Sequence, residues 1–253
     1  MTARAVAQPA TSDWAATCAA IIPCLNEAAF APAVVARTRP HLPTVIVVDD
    51  GSSDGTGNRT ATAGATVIHH PSNLGKGRAL RTGFDHARAL GFHWALTLDG
   101  DGQHAPEDIP RFFACAERTG AALILGNRLG EPEKIPWLRR CVNRWITARL
   151  ARLTGLALAD SQCGFRLINL AAIAPIRLTT GHFETESELL VECLRAGLKV
   201  EFVPVQVIYR TGKSKIRPVV DAWRWLRWWR AQRRAVTAGV PDFLRACKTM
   251  RLP

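Results

Sequence analysis

Short apolar runs bounded by turn residues recur through the first half of the chain: "CAAIIP" (18–23), "TVIVVDD" (44–50), "ATVIHH" (65–70), "WALTLDGD" (94–101) and "AALILGNR" (121–128). Runs of this length, rich in Val, Ile and Leu, predict buried strands. Between them, 26–40, 54–63, 76–90 and 106–119 are helix-compatible. The last is entered through "APED", where Pro106 suits a first turn and the acids after it suit a helix N-terminus. Strands alternating with helices predict an α/β fold, a Rossmann-like, mostly parallel sheet with helices on both faces. Farther on, 137–153 reads as an arginine-rich helix and 160–168 as a loop entering a strand. Residues 184–196 read as an amphipathic helix ending at Gly197, and 199–210 as a further strand followed by the basic loop "TGKSKIRP".

In open sheets of this kind ligands bind beyond the carboxyl ends of the strands. The polar clusters fall at those ends: "PCLNE", "DDGSSDGT", "PSNLGKGR" and "DGDGQH". In the last, Asp99 and Asp101 stand one residue apart. Two carboxylates so close repel unless a cation or hydrogen-bond donors compensate. Mg²⁺ characteristically takes one or two carboxylates and completes its shell with water and substrate phosphates, and Gln103 adds a neutral oxygen if the turn curls back. Asp and Gly are also ordinary turn residues, so taken alone the stretch reads first as a turn. The second acidic pair changes that. Asp49 and Asp50 also end a Val-rich strand, which puts four carboxylates on one rim, and an Asp there can accept from a nucleotide's base or ribose. Ser52 or Ser53 is a helix-cap candidate.

Composition adds charge and compartment. Hydrophobic residues make up 47% of the 253 and charged residues 21%, an ordinary globular balance. The 33 Lys and Arg against 21 Asp and Glu leave a net charge of +12, which points to a polyanionic partner such as a membrane face, a phosphorylated substrate or nucleic acid. Seven cysteines, widely spaced and without a C-x-x-C pair, suggest neither a disulfide framework nor a zinc site, and a reducing cytoplasm is expected. The N-terminus lacks a signal-peptide core, and no run of about 18 uncharged apolar residues would span a membrane.

Two glycine-rich stretches are decoys. "GKS" at 212–214 resembles the end of a phosphate loop, but Val207 stands where that motif needs its first glycine. "NLGKGRA" lacks the spacing of a dinucleotide fingerprint. A kinase and a dehydrogenase are disfavoured.

In their order, "IIPCLNE", "VVDDGSSDGT", "NLGKGRALRTGF", "LDGDGQHAPEDI", "GNR", "DSQCGFRLI", "FETESELL" and "YRTGKSK" closely resemble the family-2 glycosyltransferases, and among them the dolichyl-phosphate mannose or glucose synthase-like branch. The match runs from about residue 18 to 217. The resemblance implies a GT-A fold and inverting transfer from a nucleotide-diphosphate sugar, UDP- or GDP-linked, to a lipid phosphate, with Mg²⁺ or Mn²⁺ as cofactor. It puts Asp50 on the nucleotide base, and Pro23, Leu25 and Glu27 along the nucleotide pocket, Leu25 standing where many members carry Tyr. Lys76 and Gly100 fall in the donor motifs, and the metal motif falls on Asp99 and Asp101 with Gln103 as a further ligand. Arg128, Arg139, Arg210, Lys213 and Lys215 look like the basic residues that members direct at donor or acceptor phosphates. Asn143 stands beside them, where some members carry Ser.

A phosphate acceptor is ionised near neutral pH and needs no general base. A hydroxyl acceptor on a lipid, pigment or glycan needs a carboxylate, for which Glu186 is the candidate, with Glu184 and Asp160 behind it. The expected organisation is a tail (1–17), a catalytic domain (18–217) and a basic C-terminal segment (218–253). In that segment Trp225, Trp228, Trp229 and Val236 share one helical side and five arginines the other, as in an in-plane membrane helix. The same pattern fits a terminal helix packed on the domain, and a lipid-linked acceptor favours the membrane. Peripheral attachment to the cytoplasmic membrane face is therefore expected. A basic nucleic-acid-binding module is the reading from another class, and no helix-turn-helix, zinc-finger or RRM pattern supports it.

Overall fold

The alternating runs fold into one sheet. The computed structural model describes residues 13–128, 135–208 and 218–237. Among them the strands are β1 (Cys18–Cys24), β2 (Val45–Asp49), β3 (Thr66–His69), β4 (Trp94–Thr97), β5 (Leu123–Asn127), β6 (Arg166–Asn169) and β7 (Val200–Pro204). Their order is β3-β2-β1-β4-β6-β5-β7, all parallel except β6, which runs antiparallel to both β4 and β5. The helices are α1 (Trp14–Thr17), α2 (Ala31–Thr38), α3 (Thr56–Thr62), α4 (Lys76–Ala89), α5 (Ile109–Thr119), α6 (Trp137–Thr154), α7 (Leu170–Ile173), α8 (Glu184–Arg195) and α9 (Pro218–Thr237). A 3₁₀ turn at Pro106–Asp108 leads into α5.

The pleat of the sheet divides the core in two. Ala20, Ile22, Val45 and Val47 face α2 and α5, whereas Ala19, Ile21, Ile46 and Val48 face α4 and α8. This is why the strand sequences read as unbroken apolar runs: both faces are covered. A third cluster joins Leu150 and Leu153 of α6, Val191 of α8, and Trp225 and Trp228 of α9. The two indoles are 5% and 7% exposed, so this side of α9 packs on the domain and does not face a membrane. Burial at about 2–3 kcal/mol per large side chain is enough to hold the helix there.

Three local differences from the sequence reading have identifiable causes. The helix expected from residue 26 begins at Ala31, because Asn26 takes a positive φ of 51° and the segment after β1 is stapled to the next loop. The N–H groups of Asn26, Glu27 and Ala28 donate to Ser52 Oγ, Thr56 Oγ1 and Asp54 Oδ2. Ser52 therefore caps no helix, and the carboxylate of Asp54 receives the Thr56 N–H where α3 starts. The strand expected over 199–210 ends at Pro204. Beyond it the chain crosses to the tip of β4, where Gln206 N–H donates to Asp108 Oδ2 and Ile208 N–H to the Gln103 carbonyl.

Candidate functional site

After Thr97 the chain leaves the sheet and turns through 98–104 against the end of β1. A Cβ on Gly100 would lie 2.6 Å from Cys24 Sγ, so only glycine lets the turn approach this closely. The Asp99 N–H donates to His104 Nδ1 at 3.1 Å, which leaves the ring proton on Nε2, 3.9 Å from Asp99 Oδ2. His104 is buried and stacks on Phe165. Asp101 accepts from the Gln103 N–H at 3.0 Å and from Gln103 Nε2 at 2.8 Å. Gln103 curls back, but it presents to Asp101 its amide nitrogen and not the oxygen that the metal reading calls for.

The first acidic pair works differently. Asp50 is buried, and its carboxylate accepts from Leu74 N–H and Gly75 N–H, with His70 Nδ1 at 2.6 Å. Asp49 accepts from Ser52 N–H and lies 3.2 Å from His69 Nδ1. Both carboxylates are committed to loops, and the loop that Asp50 holds delivers Lys76 at the start of α4. Lys76 Nζ lies 2.6 Å from Asp99 Oδ1 and 3.1 Å from Glu186 Oε1 at the start of α8. The backbone at Gly164 closes the other side. A Cβ there would stand 2.8 and 2.9 Å from the two Asp99 carboxylate oxygens and 3.0 Å from Glu186 Oε1.

Charges follow from this packing. Burial alone would lower the Lys76 pKa, but Asp99 and Glu186 outweigh it and hold the ammonium charged, with its pKa above the usual value. Burial would raise Asp99, yet Lys76 leads the groups that pull its pKa well below the carboxylate range. Asp101 goes up, through burial and then the neighbouring Asp99 charge. Cys24, at the end of β1 between the two acidic clusters, has its thiol pushed well above its ordinary value by burial and then by Glu27, Asp49, Asp99 and Asp101. The acids thus converge on one rim. Pro23 and Leu25 flank Cys24 at that rim, both half-buried.

Arg128, just past β5, pairs with Asp160 through Nε at 2.7 Å and Nη2 at 3.0 Å. Asp160 is nearly inaccessible and so committed, which removes it as a reserve base. Glu184 is buried at the start of α8, with Oε2 unpartnered among the described atoms. Asn143 lines a small cleft with Ile135, Arg140, Arg144, Thr147 and Asp160, whereas Arg139 lies on α6 outside that lining. Arg210, Lys213 and Lys215 lie outside the described residues. Arg166 went unmarked in the sequence reading. It is 1% exposed and donates to three carbonyls, those of Ser161, Cys163 and Glu186, tying the 161–163 loop to α8. Its only sequence signal is an arginine inside an apolar strand pattern. His104, the last residue of "DGDGQH", is a second such residue: it anchors the turn through the Asp99 N–H.

Two carboxylates within one turn are hard-oxygen donors that suit Mg²⁺ or Mn²⁺, while Gln103 spends its amide N–H on Asp101. Among the described residues no group of three or more His, Cys, Asp or Glu converges as a metal site. The chain thus offers two acids, and phosphate and water would complete the shell.

A profile of the family described as Glycosyl transferase family 2 matches residues 19–176. Polyprenol monophosphomannose synthase of Mycolicibacterium smegmatis is 31% identical over 211 residues, covering 78% of this chain and 79% of that protein. Undecaprenyl-phosphate mannosyltransferase of Micrococcus luteus is 31% identical over 226 residues, covering 81% and 92%. Glucosyl-3-phosphoglycerate synthase of Mycobacterium tuberculosis, crystallised with Mn²⁺, UDP and phosphoglyceric acid, superimposes with a TM-score of 0.68 at 22% identity, over 89% of this chain and 80% of that one. The last likeness is one of fold, the GT-A fold.

Proposed function

Because this chain belongs to glycosyl transferase family 2, in its polyprenyl-phosphate sugar synthase branch, we propose that it moves a sugar from a nucleotide-diphosphate donor to a polyprenyl phosphate at a membrane surface. The observation that carries the reading is the Asp99–Gly100–Asp101 turn held beside Lys76 on the carboxyl rim of a GT-A sheet. The relatives of similar length named for polyprenyl-phosphate acceptors support the acceptor class.

The transfer is a displacement at the anomeric carbon. An acceptor phosphate oxygen forms the new C1–O bond from the face opposite the donor diphosphate, which leaves with the bonding pair, and the anomeric configuration inverts. The acceptor is already an anion, so no proton has to be removed first. Asp99 and Asp101 would hold Mg²⁺ or Mn²⁺, with the Gln103 oxygen added once its amide gives up the hydrogen bond to Asp101, and the bound ion would supply neutralisation of the leaving diphosphate. Lys76 brings a fixed cation to the same rim, and Arg128 adds to the positive field there although it is shared with Asp160. Asp50 acts through the loop that presents Lys76. Arg210, Lys213 and Lys215 are assigned to the donor or acceptor phosphates by the family resemblance alone.

A hydroxyl acceptor would need Glu186 as base. Its Oε1 is already engaged by the Lys76 ammonium at 3.1 Å, which favours the phosphate. Among the described residues the six cysteines are all free, which suits a reducing compartment and the cytoplasmic face.

The test is transfer itself. The full chain is incubated with UDP- or GDP-linked hexoses, Mn²⁺ and a short-chain polyprenyl phosphate, and the lipid product is read by mass spectrometry. A chelator-sensitive phosphoglycolipid is expected. Transfer to lipid hydroxyls alone would overturn the acceptor assignment.

A further inference from the structure

Apolar surface that the core does not use is concentrated on two neighbouring helices. On α6, Trp137 and Leu138 are 68% and 67% exposed, with Val142 and Trp145 on the same side, and on α9 Val220 and Trp223 are also exposed. At about 100° per residue the four α6 side chains span one sector, opposite the buried Leu150 and Thr147. The helices lie side by side. The ring of Trp145 is 5.6 Å from that of Trp225, and the Arg149 guanidinium sits 3.8 Å above Trp145 and 5.3 Å from Trp229. Position 145 meets 225 and 149 meets 229, so the helices run in the same direction where they touch.

The charge of these helices is as one-sided as their apolar surface. Their sequences hold ten arginines and a single acid, Asp221. Much of the excess positive charge of the chain therefore sits on α6 and α9, where the sequence reading had placed only part of it. Arg227 lies 4.7 Å from the ring of the exposed Trp223, a basic group over an aromatic one at the surface. In sequence α6 follows β5, and Arg128 just past β5 pairs with Asp160. The Asn143 cleft continues inward to Asp160, the partner of Arg128.

We propose that this face, centred on Trp137, Leu138, Val142 and Trp223, seats the enzyme on an anionic lipid bilayer and aims the acceptor phosphate at the rim. The inference rests on the lipid-phosphate reading above and names the surface that serves it. Exposed indoles and aliphatic side chains enter the interfacial layer while the arginines around them meet lipid phosphates. A nucleic acid would use the arginines but leave Leu138 and Val142 in water. Among the described residues no helix is long and apolar enough to cross a membrane, so the contact is with one leaflet. The face differs from the one the sequence suggested: Trp225 and Trp228 hold α9 to the domain, and α6 carries most of the contact.

The test uses the full chain and sedimentation with vesicles of phosphatidylcholine alone or with 30% phosphatidylglycerol. The wild type is expected to pellet with the anionic vesicles at low salt, to be released by raised salt, and to show tryptophan quenching by brominated lipid. The double variant W137S/L138S and the variant W223S should each bind at least about fivefold more weakly, with unchanged thermal unfolding and unchanged transfer to a short-chain acceptor in detergent. Unaltered vesicle binding by both variants would overturn the proposal, as would wild-type indifference to anionic lipid. A loss of self-association in place of lipid binding would equally overturn it, by making the face a contact between copies. Vesicle binding without any sugar transfer would leave this surface standing and remove the catalytic reading, so the two failures are distinguishable.

Discussion

Lys76 and Asp99 form a half-buried ion pair, Nζ to Oδ1 at 2.6 Å, in which the ammonium holds the same carboxylate that the metal motif contributes. A divalent ion taken up by Asp99 competes with Lys76 for that oxygen, and a donor diphosphate offers the ammonium another partner. Metal and nucleotide should therefore bind better together than apart. Replacing Lys76 by Met leaves Asp99 and Glu186 facing each other without a cation. Lys76→Met is expected to bind Mn²⁺ at least about threefold more tightly without nucleotide while its transfer rate falls by tenfold or more. Calorimetric titration of Mn²⁺ checks the first part, and weaker binding than wild type would refute the competition.

Asp101 stands in the opposite position. Its hydrogen bonds stay within the turn, to Gln103, and its pKa is raised by burial and then by Asp99. A raised carboxylate pKa means that the charged form is disfavoured by folding, so removing the charge relieves repulsion at neutral pH. Asp101→Asn should abolish transfer, by about 10³-fold or more, with a melting temperature equal to or slightly above wild type. A variant that is both folded and active would show that the turn is only a turn.

Much of the rim was legible because its signals are local. Apolar runs such as Val45–Asp49 ending in acidic and glycine-rich turns mark strand ends, and "DGDGQH" carries its own spacing. What stayed hidden depends on residues far apart in sequence. Nothing near Lys76 announces Glu186, and nothing in "RLIN" says that β6 inserts antiparallel between β4 and β5. Periodicity showed that Trp225 and Trp228 share a side of α9 but not what that side meets, which α6 and α8 decide. Asp50 was legible as a rim acid, whereas its engagement by three groups of the 70–75 loop required the fold.

The Arg128–Asp160 pair predicts a pH signature. Burial alone would raise the Asp160 pKa, but Arg128 and the donated hydrogen bonds reverse this and lower it. A lowered carboxylate pKa contributes stability that is fully present above the unfolded value of about 3.9 and is lost as pH falls through the folded value. Asp160→Asn leaves Arg128 without its counter-ion and should cost about 3 kcal/mol at neutral pH. Urea midpoints should differ by a constant amount between about pH 8 and 5 and converge below about pH 4. A difference independent of pH down to the acid limit would mean that the carboxylate charge is not what Asp160 contributes.

Gly164 offers a test of how tightly the site is built. Its backbone passes so near the acids that a methyl group would sit within 3.0 Å of both Asp99 oxygens and of Glu186 Oε1. Neither acid can retreat freely: Asp99 is held by Lys76 and by the hydrogen bond from its own N–H to His104, and the Glu186 backbone is held by Arg166. The methyl group must therefore displace the Asp99 carboxylate or the loop that carries it. Overpacking of this kind costs about 1–3 kcal/mol, within the margin of a stable domain. Gly164→Ala should fold, with a melting point a few degrees lower, and should weaken Mn²⁺ binding and transfer together, since both depend on where Asp99 points. Gly91, with no neighbour within 4 Å of a Cβ but a positive φ of 86°, is the control: Gly91→Ala should lose a comparable amount of stability through backbone strain and keep its Mn²⁺ affinity. Equal losses of Mn²⁺ binding in the two variants would mean that the site responds to global stability and not to the position of Asp99.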